Sequence, residues 1–325
     1  MKRPRLIPNY YVRLEPGPTG GEDALIFTSG RREIRLAGTS FSEFLAEVVP
    51  RLDGRHTLDD IQREVDGKFS LDDVGRALTL LEDQRLLEDA DRDVLDDETR
   101  ARLAPQLHWL HEMGLPAQQV QQQLHESTVV VVGTGCVGAH AASALETAGV
   151  GEVRRGAGDG AGHGDGHGTD MRRVLEGAHC AVVAVDAGLS SVLYQVNRAC
   201  LELRIPWTSA MLAGHEGLFG PTVIPGSTPC YLCYKMRAVA CATDPGAAFA
   251  FERFLDQRKV DDSGRRESLP FLSGVLGHFL GLEAMKILVG LKPSAAGTLL
   301  VIDFLTMETS RHVVLRKPGC PACGG

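Results

Sequence analysis

The chain has 325 residues, 43% hydrophobic and 23% charged, with a formal net charge of −8. That length points to two domains, and that composition excludes disorder over the whole chain. The negative balance argues against a polyanion as partner, and no apolar run approaches the roughly 20 residues that cross a bilayer. Met1–Tyr11 is basic but is followed by no apolar core of a signal peptide, so a cytoplasmic protein with neither nucleic acid nor membrane as partner is expected.

The first elements read as strands: Tyr10–Glu15, then Ala24–Thr28 and Glu33–Leu36 facing each other across Ser29-Gly30-Arg31-Arg32. Three helix starts follow, each a hydroxyl residue with an acid three places on: Ser40/Glu43, Thr57/Asp60 and Ser70/Asp73. In the third helix Leu71, Val74, Leu78 and Leu81 fall on one face, which the spacing predicts to be core. Strands and three helices within residues 1–90 match a winged helix-turn-helix.

The stretch Asp89–Glu98 is strongly acidic and is expected to be a solvated connector. With the helical region Thr99–Gln123 it makes a linking segment, residues 91–126. From residue 127 to 325 strands and helices alternate: Thr128–Val132, Gly138–Ala148, Cys180–Val185, Leu189–Leu203 and Pro206–Ala210. This is α/β architecture with a mainly parallel, Rossmann-like sheet. The Gly/Ala/His/Asp run Gly156–Asp170 cannot hold a core and is expected to be a loop. Its His163, His167, Asp159 and Asp165 are metal-capable residue types, but a stable metal site is not expected in such a run.

Eight cysteines in a reducing compartment ask for a metal where they cluster. Cys230-Tyr-Leu-Cys233 and Cys320-Pro-Ala-Cys323 are two CxxC pairs, the donor set of a closed, four-thiolate structural zinc site. Four cysteines leave no open coordination position, so the ion would staple the chain's end to the middle of its second domain. Cys241 has no recognisable base beside it and reads as an ordinary small residue.

Gly133-Thr-Gly135-Cys-Val-Gly138 follows a strand and opens a helix, where glycines let a backbone approach phosphate. Dinucleotide binding also requires an acid at the end of the next strand, and here that strand ends in Arg154, Arg155 and glycines. A glycine turn kept for tight helix–strand packing is therefore the expectation.

Three stretches, Val129–Val153, Asn197–Arg237 and Gly274–Gly324, resemble the ThiF/MoeB and ubiquitin-activating enzyme superfamily. The last holds Gly274-Val-Leu-Gly277, Leu282-Glu-Ala-Met-Lys286, Asp303 and the terminal CxxC. Members adenylate a carboxyl terminus, which demands cations around a triphosphate and a carboxylate for magnesium. The departures fall there: Gly156–Asp170 replaces the acid and the Asn-Leu-x-Arg-Gln run, Pro105-Gln106 replaces an Arg-Gln pair, and Val183-Ala-Val-Asp186-Ala keeps one carboxylate of Asp-x-x-Asp-Asn. Gly133, Gly135, Gly138 and Asp186 would thus be a vestigial nucleotide loop, with ATP not bound. Arg154, Arg155, Arg172 and Arg173 are the available substitutes, expected to be solvated instead.

Residues 1–90 hold 13 Lys/Arg and 17 Asp/Glu, and the third helix carries Asp72, Asp73, Glu82 and Asp83 against Arg76 and Arg85. That acidity argues against a DNA-binding regulator. The segment is similar instead to PqqD-like modules, which bind the leaders of ribosomally made, modified peptides as an added strand. Carried over, the resemblance implies an edge at Arg32, Glu33, Ile34, Arg35 and Leu36, with Arg31, Arg32 and Arg35 clustered to meet acidic leader residues and Leu71, Val74 and Leu78 of the third helix as the wall. A PqqD-like module joined to a degenerate ThiF-like domain resembles the partner proteins of YcaO cyclodehydratases. The resemblance implies a non-catalytic scaffold whose partners are a precursor leader peptide, a YcaO-type enzyme and a second copy of the chain. The rival expectation is an active adenylating enzyme that seizes its peptide with the same front module.

Overall fold

A computed structural model describes residues 1–325 apart from 9, 18–21, 31, 66, 134, 157–169, 186–189, 258–268 and 325. The described residues divide into two compact units, Met1–Gln122 and Gln123–Gly325. The acidic stretch, expected as a solvated connector, belongs to the first unit.

In the first unit a ribbon of β1 (Pro4–Leu6) carries its later antiparallel partner β5 (Leu87–Asp89), and a separate sheet is built from β2 (Tyr11–Glu15), β3 (Asp23–Thr28) and β4 (Glu33–Gly38) in that order. The pleat explains the sheet's two faces. Val12, Phe27 and Ile34 align across the strands, as do Leu14, Leu25 and Leu36, and Leu25, Phe27 and Ile34 are buried in the core. On the opposite face Ile26 lies in register between Arg13 and Arg35, whose ion pairs with Glu33 and Glu15 lie over it, so it too is buried.

The core is closed by α1 (Phe41–Glu47), α2 (Leu58–Glu64) and α3 (Leu71–Asp83). Thr57 forms a full capping box with Asp60, and the Ser70 hydroxyl accepts from the Asp73 amide. The box expected at Ser40 does not form: Ser40 has φ 62°, left-handed, which turns its hydroxyl away from the first turn. Along α3, Val74, Leu78 and Leu81 are buried as expected, but Leu71 is 67% exposed. At 100° per residue it falls about 60° around the helix from Val74, enough on the first turn to clear the core.

The acidic stretch is tied down by its charges. Asp89 accepts from the amides of Lys2 and Arg3 at 2.9 and 3.0 Å. Asp93 receives both Arg5 nitrogens, at 2.8 and 2.6 Å, together with Gln118 at 2.6 Å and Arg100. Beyond it run α4 (Asp97–Arg102), α5 (Ala104–Glu112) and α6 (Ala117–His125), broken where Leu103 and Gly114 leave the helical region.

The second unit is a seven-stranded, Rossmann-like mixed sheet. Its strands are β6 (Thr128–Val132), β7 (Glu152–Gly156), β8 (Cys180–Val185), β9 (Trp207–Ala213), β10 (Glu216–Phe219), β11 (Thr298–Asp303) and β12 (Thr309–Val313). Across the sheet the order is β12-β11-β10-β9-β8-β6-β7; β7, β6, β8 and β9 run parallel, and the last three strands turn antiparallel. The valines of β6 are buried on both faces. Val129 and Val131 join one core with α7 (Cys136–Thr147) and the C-terminal helix Pro270–Leu288, while Val130 and Val132 join another with α8 (Met171–Leu175), α9 (Ser190–Leu203) and α10 (Tyr231–Ala240). After α11 (Pro245–Gln257) comes α12, that same Pro270–Leu288.

Contrary to the expectation that no apolar run approaches membrane length, α12 has 19 residues and is long and apolar enough to qualify by composition, with half of that window buried within the chain. It packs backbone to backbone on α7: a Cβ at Gly277 would lie 2.5 Å from the His140 Cβ and 2.8 Å from the Val137 carbonyl.

Candidate functional site

Cys230 is the N-cap of α10 and Cys233 lies in its first turn. Cys320 and Cys323 sit on a terminal turn closed by the Cys320 amide donating to the Lys317 carbonyl at 3.1 Å and the Gly324 amide donating to the Cys320 carbonyl at 2.8 Å. The four sulfurs lie within 4.8 Å of one another. Adjacent pairs are separated by 3.9 Å (Cys230–Cys233), 3.8 Å (Cys230–Cys320) and 3.6 Å (Cys233–Cys323). Thiolates at about 2.3 Å from a tetrahedral zinc stand about 3.8 Å apart, so the cluster has the spacing and donor chemistry of a closed zinc site.

Neighbouring groups fix that geometry. Asn197 on α9 accepts from the Tyr231 amide at 2.9 Å, anchoring the start of α10. Arg237 donates to the Leu315 and Arg316 carbonyls at 2.7 and 2.8 Å, and Arg316 donates to the Gly226 carbonyl at 2.5 Å. The Lys317 amide points at the Cys233 sulfur, 3.4 Å away. Burial pushes the Cys230 and Cys233 thiols up. Burial pushes Cys320 the same way, but the amides of Cys323 and Ala322 outweigh it and bring that thiol down to about 7.

The glycine turn lies between β6 and α7. Gly133 has φ 125°, and a Cβ there would sit 2.1 Å from the Ala184 carbonyl oxygen; one at Gly138 would sit 2.3 Å from the Gly133 oxygen. Chain packing therefore requires glycine at both positions. Gly135, the α7 N-cap, has an extended backbone that other residues adopt. Of the arginines read as possible phosphate-site cations, Arg154 donates to the Glu176 carbonyl at 2.9 Å and neighbours Glu152, Arg155 meets Glu146 at 3.3 Å, and Arg173 meets Asp170 at 3.8 Å. Pro105 lies in the first turn of α5, and Gln106 donates to Gln121 at 2.5 Å. Asp186 lies outside the described residues, as do Asp159, His163, Asp165 and His167. Cys241, the C-cap of α10, is exposed.

In the first unit, β4 is an edge of its sheet, with β3 on one side and no strand among the described residues on the other. The Ser29 amide donates to the Arg32 carbonyl at 2.8 Å, which sets the hydrogen-bond phase of the hairpin: Ile34 and Leu36 bond inward to β3, while the amides of Glu33 and Arg35 point to the free edge. Ile34 is buried and Leu36 half-buried; Arg32, Glu33 and Arg35 are exposed, with Arg35 on Glu15 at 3.0 Å and Glu33 on Arg13 at 3.5 Å. Arg31 lies outside the described residues. Of the residues read as the opposing wall, Val74 and Leu78 are buried and Leu71 is exposed.

Two residues escaped the sequence reading. Asn197 is one. Glu283 is the other: buried within α12, its carboxylate accepts from the amides of Ser294 and Ala295 at 2.8 and 2.7 Å and from the Thr222 hydroxyl at 2.8 Å. An acid within a mainly apolar helix was the available signal.

Residues 164–322 match the ThiF family. That match covers just under half of this chain. The matched span takes in Cys230, Cys233 and Cys320 of the clamp, ends one residue before Cys323, and begins after the glycine turn. Protein HesA, heterocyst, of Trichormus variabilis is 30% identical over 129 residues, 40% of this chain and 40% of that protein. Adenylyltransferase and sulfurtransferase MOCS3 of Sus scrofa is 29% identical over 260 residues, 67% of this chain and 53% of its own. Among solved structures, the heterocyclase TruD has TM-score 0.71 at 21% identity, covering 100% of this chain and 43% of its own. Escherichia coli MccB with AMPCPP and MccA has TM-score 0.61 at 16% identity, with 100% of both chains covered. Those two likenesses establish the fold, and this chain spans well under two thirds of HesA and of TruD. The matched span includes β8 to β12 of the sheet but not β6 or β7.

Proposed function

We propose that this chain is a cytoplasmic, leader-peptide-binding scaffold that delivers a ribosomally made precursor to a YcaO-type cyclodehydratase for azoline formation, without ATP chemistry of its own. In this reading residues 1–90 are a winged helix-turn-helix recognition module, 91–126 the connecting segment, and 127–325 a zinc-stapled ThiF domain that docks the enzyme. The observation that carries it is the free edge of β4, whose Glu33 and Arg35 amides are directed outward beside a buried apolar core. An extended peptide added there would gain backbone hydrogen bonds, with exposed Leu71 available to its side chains. Captured on the scaffold, the precursor would stand at raised local concentration near the enzyme. The likeness in fold to a heterocyclase supports this reading, as do glycines at 133 and 138 that the chain's own packing requires. Zinc held by Cys230, Cys233, Cys320 and Cys323 would fasten the C-terminal turn to α10 and take no part in chemistry.

The test is fluorescence anisotropy with the labelled leader of a precursor encoded in the same gene neighbourhood. Arg35→Pro removes an outward amide without breaking the β3–β4 ladder and should weaken binding at least tenfold, about 1.4 kcal/mol. Arg35→Ala, which keeps the amide, should retain most of it. Equal affinity in all three proteins would eliminate strand addition.

A second reading, an enzyme that adenylates its peptide, is favoured by the likeness to MccB bound to a nucleotide analogue and to MOCS3. Pyrophosphate exchange by the purified chain separates the two: the scaffold gives none. The DNA-binding reading meets an acidic first module and predicts a salt-dependent mobility shift.

A further inference from the structure

The seven-stranded sheet has two edges of different character. On one side, β7 carries Glu152, Arg154 and Arg155 among its five residues, and such a density of charge discourages a foreign strand from pairing. On the other side, β12 runs in unbroken register with β11, exposes all five of its residues and contains neither proline nor lysine. Two hydrogen bonds set its phase. The Val314 amide donates to the Gly297 carbonyl at 2.9 Å and the Asp303 amide to the Glu308 carbonyl at 2.9 Å, so Ser310 and His312 bond inward to β11. The amides and carbonyls of Thr309, Arg311 and Val313 therefore point to the free edge, where no further strand stands among the described residues.

The side chains along this edge oppose the charge of the chain. Residues 309–317 contain Arg311, Arg316 and Lys317 and no acid, in a protein of formal charge −8. The guanidinium groups of Arg311 and Arg316 donate to the Ser294 and Gly226 carbonyls at 2.6 and 2.5 Å, neutral partners that hold the arginines in place without cancelling their charge. Val313, on the Arg311 face of the strand, is 71% exposed, and Leu315 just beyond it is 59% exposed.

We propose that β12 pairs with an extended, acidic segment of a partner protein. Such a segment would bond to the outward backbone groups of Thr309, Arg311 and Val313, set a carboxylate opposite Arg311 and an apolar side chain against Val313, and reach Arg316 and Lys317 with a further acid. A polyanion such as RNA is the poorer occupant. It would use the three cations but leave the row of amides and carbonyls unpaired and Val313 and Leu315 in water. This inference is independent of the leader-binding reading, which concerns β4 in the other unit.

The probe is the fluorescein-labelled peptide Glu-Thr-Val-Thr-Val-Thr-Glu, compared with its counterpart carrying Lys for both Glu, in anisotropy titrations of the full chain. The acidic peptide should bind with a dissociation constant of about 100 μM or below at low salt and lose at least about fivefold at roughly 0.5 M salt. Val313→Pro removes an outward amide without breaking the β11–β12 ladder and should weaken binding at least about tenfold, whereas Val313→Ala should keep most of it. Arg311→Glu/Arg316→Glu, altered at exposed positions, should release the acidic peptide and take up the lysine one, with the thermal midpoint close to that of the parent. Arg35→Pro, at the other unit's edge, should bind as the parent does. A parent that binds neither peptide or both equally, a charge-swapped protein that keeps the parent's preference, or a folded Val313→Pro protein of parental affinity would overturn the proposal. So would binding of oligouridylate that displaces the acidic peptide and is indifferent to Val313→Pro, which would assign the edge to a polyanion.

Discussion

The thiolate clamp and the glycine turn lie in the same unit and are equally plain as motifs, but they differ in what completes them. Around Gly133 and Gly138 the space a side chain would need is filled by the Ala184 and Gly133 carbonyls, so the chain itself explains both residues. Around Cys230, Cys233, Cys320 and Cys323 four sulfurs converge within 4.8 Å of one another, an arrangement that a metal ion would complete. A motif points to a ligand when its groups remain uncompensated by the protein, and to packing when they do not.

The largest effect expected from that contrast follows loss of the clamp. Cys320→Ser, or a strong chelator, should remove on the order of 10 kcal/mol of apparent folding free energy, comparable with the whole stability of a typical domain. Metal analysis and thermal unfolding check it; one zinc per chain and a chelator-sensitive midpoint are expected. Next come the glycines. Gly133→Ala should cost about 3 kcal/mol or more in urea unfolding, because a Cβ meets a carbonyl at 2.1 Å, whereas Gly135→Ala should cost under about 1 kcal/mol. Equal costs would mean that packing does not distinguish them.

Asp93 supplies the same contrast in the first unit, a charge completed by the chain. Burial pushes its carboxyl up, but Arg5, Gln118 and Arg100 outweigh burial and hold it below its ordinary 3.8. The folded state therefore binds its proton more weakly than the unfolded state. The stabilisation is fully present above pH 3.8 and is lost as pH falls through the lower, folded value. Asp93→Ala should cost about 2 kcal/mol at neutral pH and flatten the acid limb of the stability curve, measured by denaturation from pH 7 downward. The smallest effect separates two hydroxyl caps: Thr57→Ala should cost about 1 kcal/mol, and Ser40→Ala almost nothing, because Ser40 caps nothing.

The alternation of β6 through β9 with their helices was legible in the sequence, since parallel strands buried on both faces read as continuous valine runs and helices announce themselves by periodicity. The CxxC pairs were legible too, because two cysteines three apart on one turn are a local arrangement. Leu71 and Ser40 were misread for one reason: a pattern names a face or a cap, but whether that face reaches the core depends on where the helix enters it.

What the sequence determined alone was therefore what nearest neighbours along the chain decide: the elements and the paired thiols. Only the tertiary structure decided which charges are used up. It tied Asp89 and Asp93 to Lys2, Arg3 and Arg5, closed the backbone around Glu283, and left Phe271, Val275, Phe279 and Leu282 of α12 exposed. Those outcomes depend on groups far apart in sequence meeting at hydrogen-bond distance, and short-range patterns do not encode the geometry of such meetings.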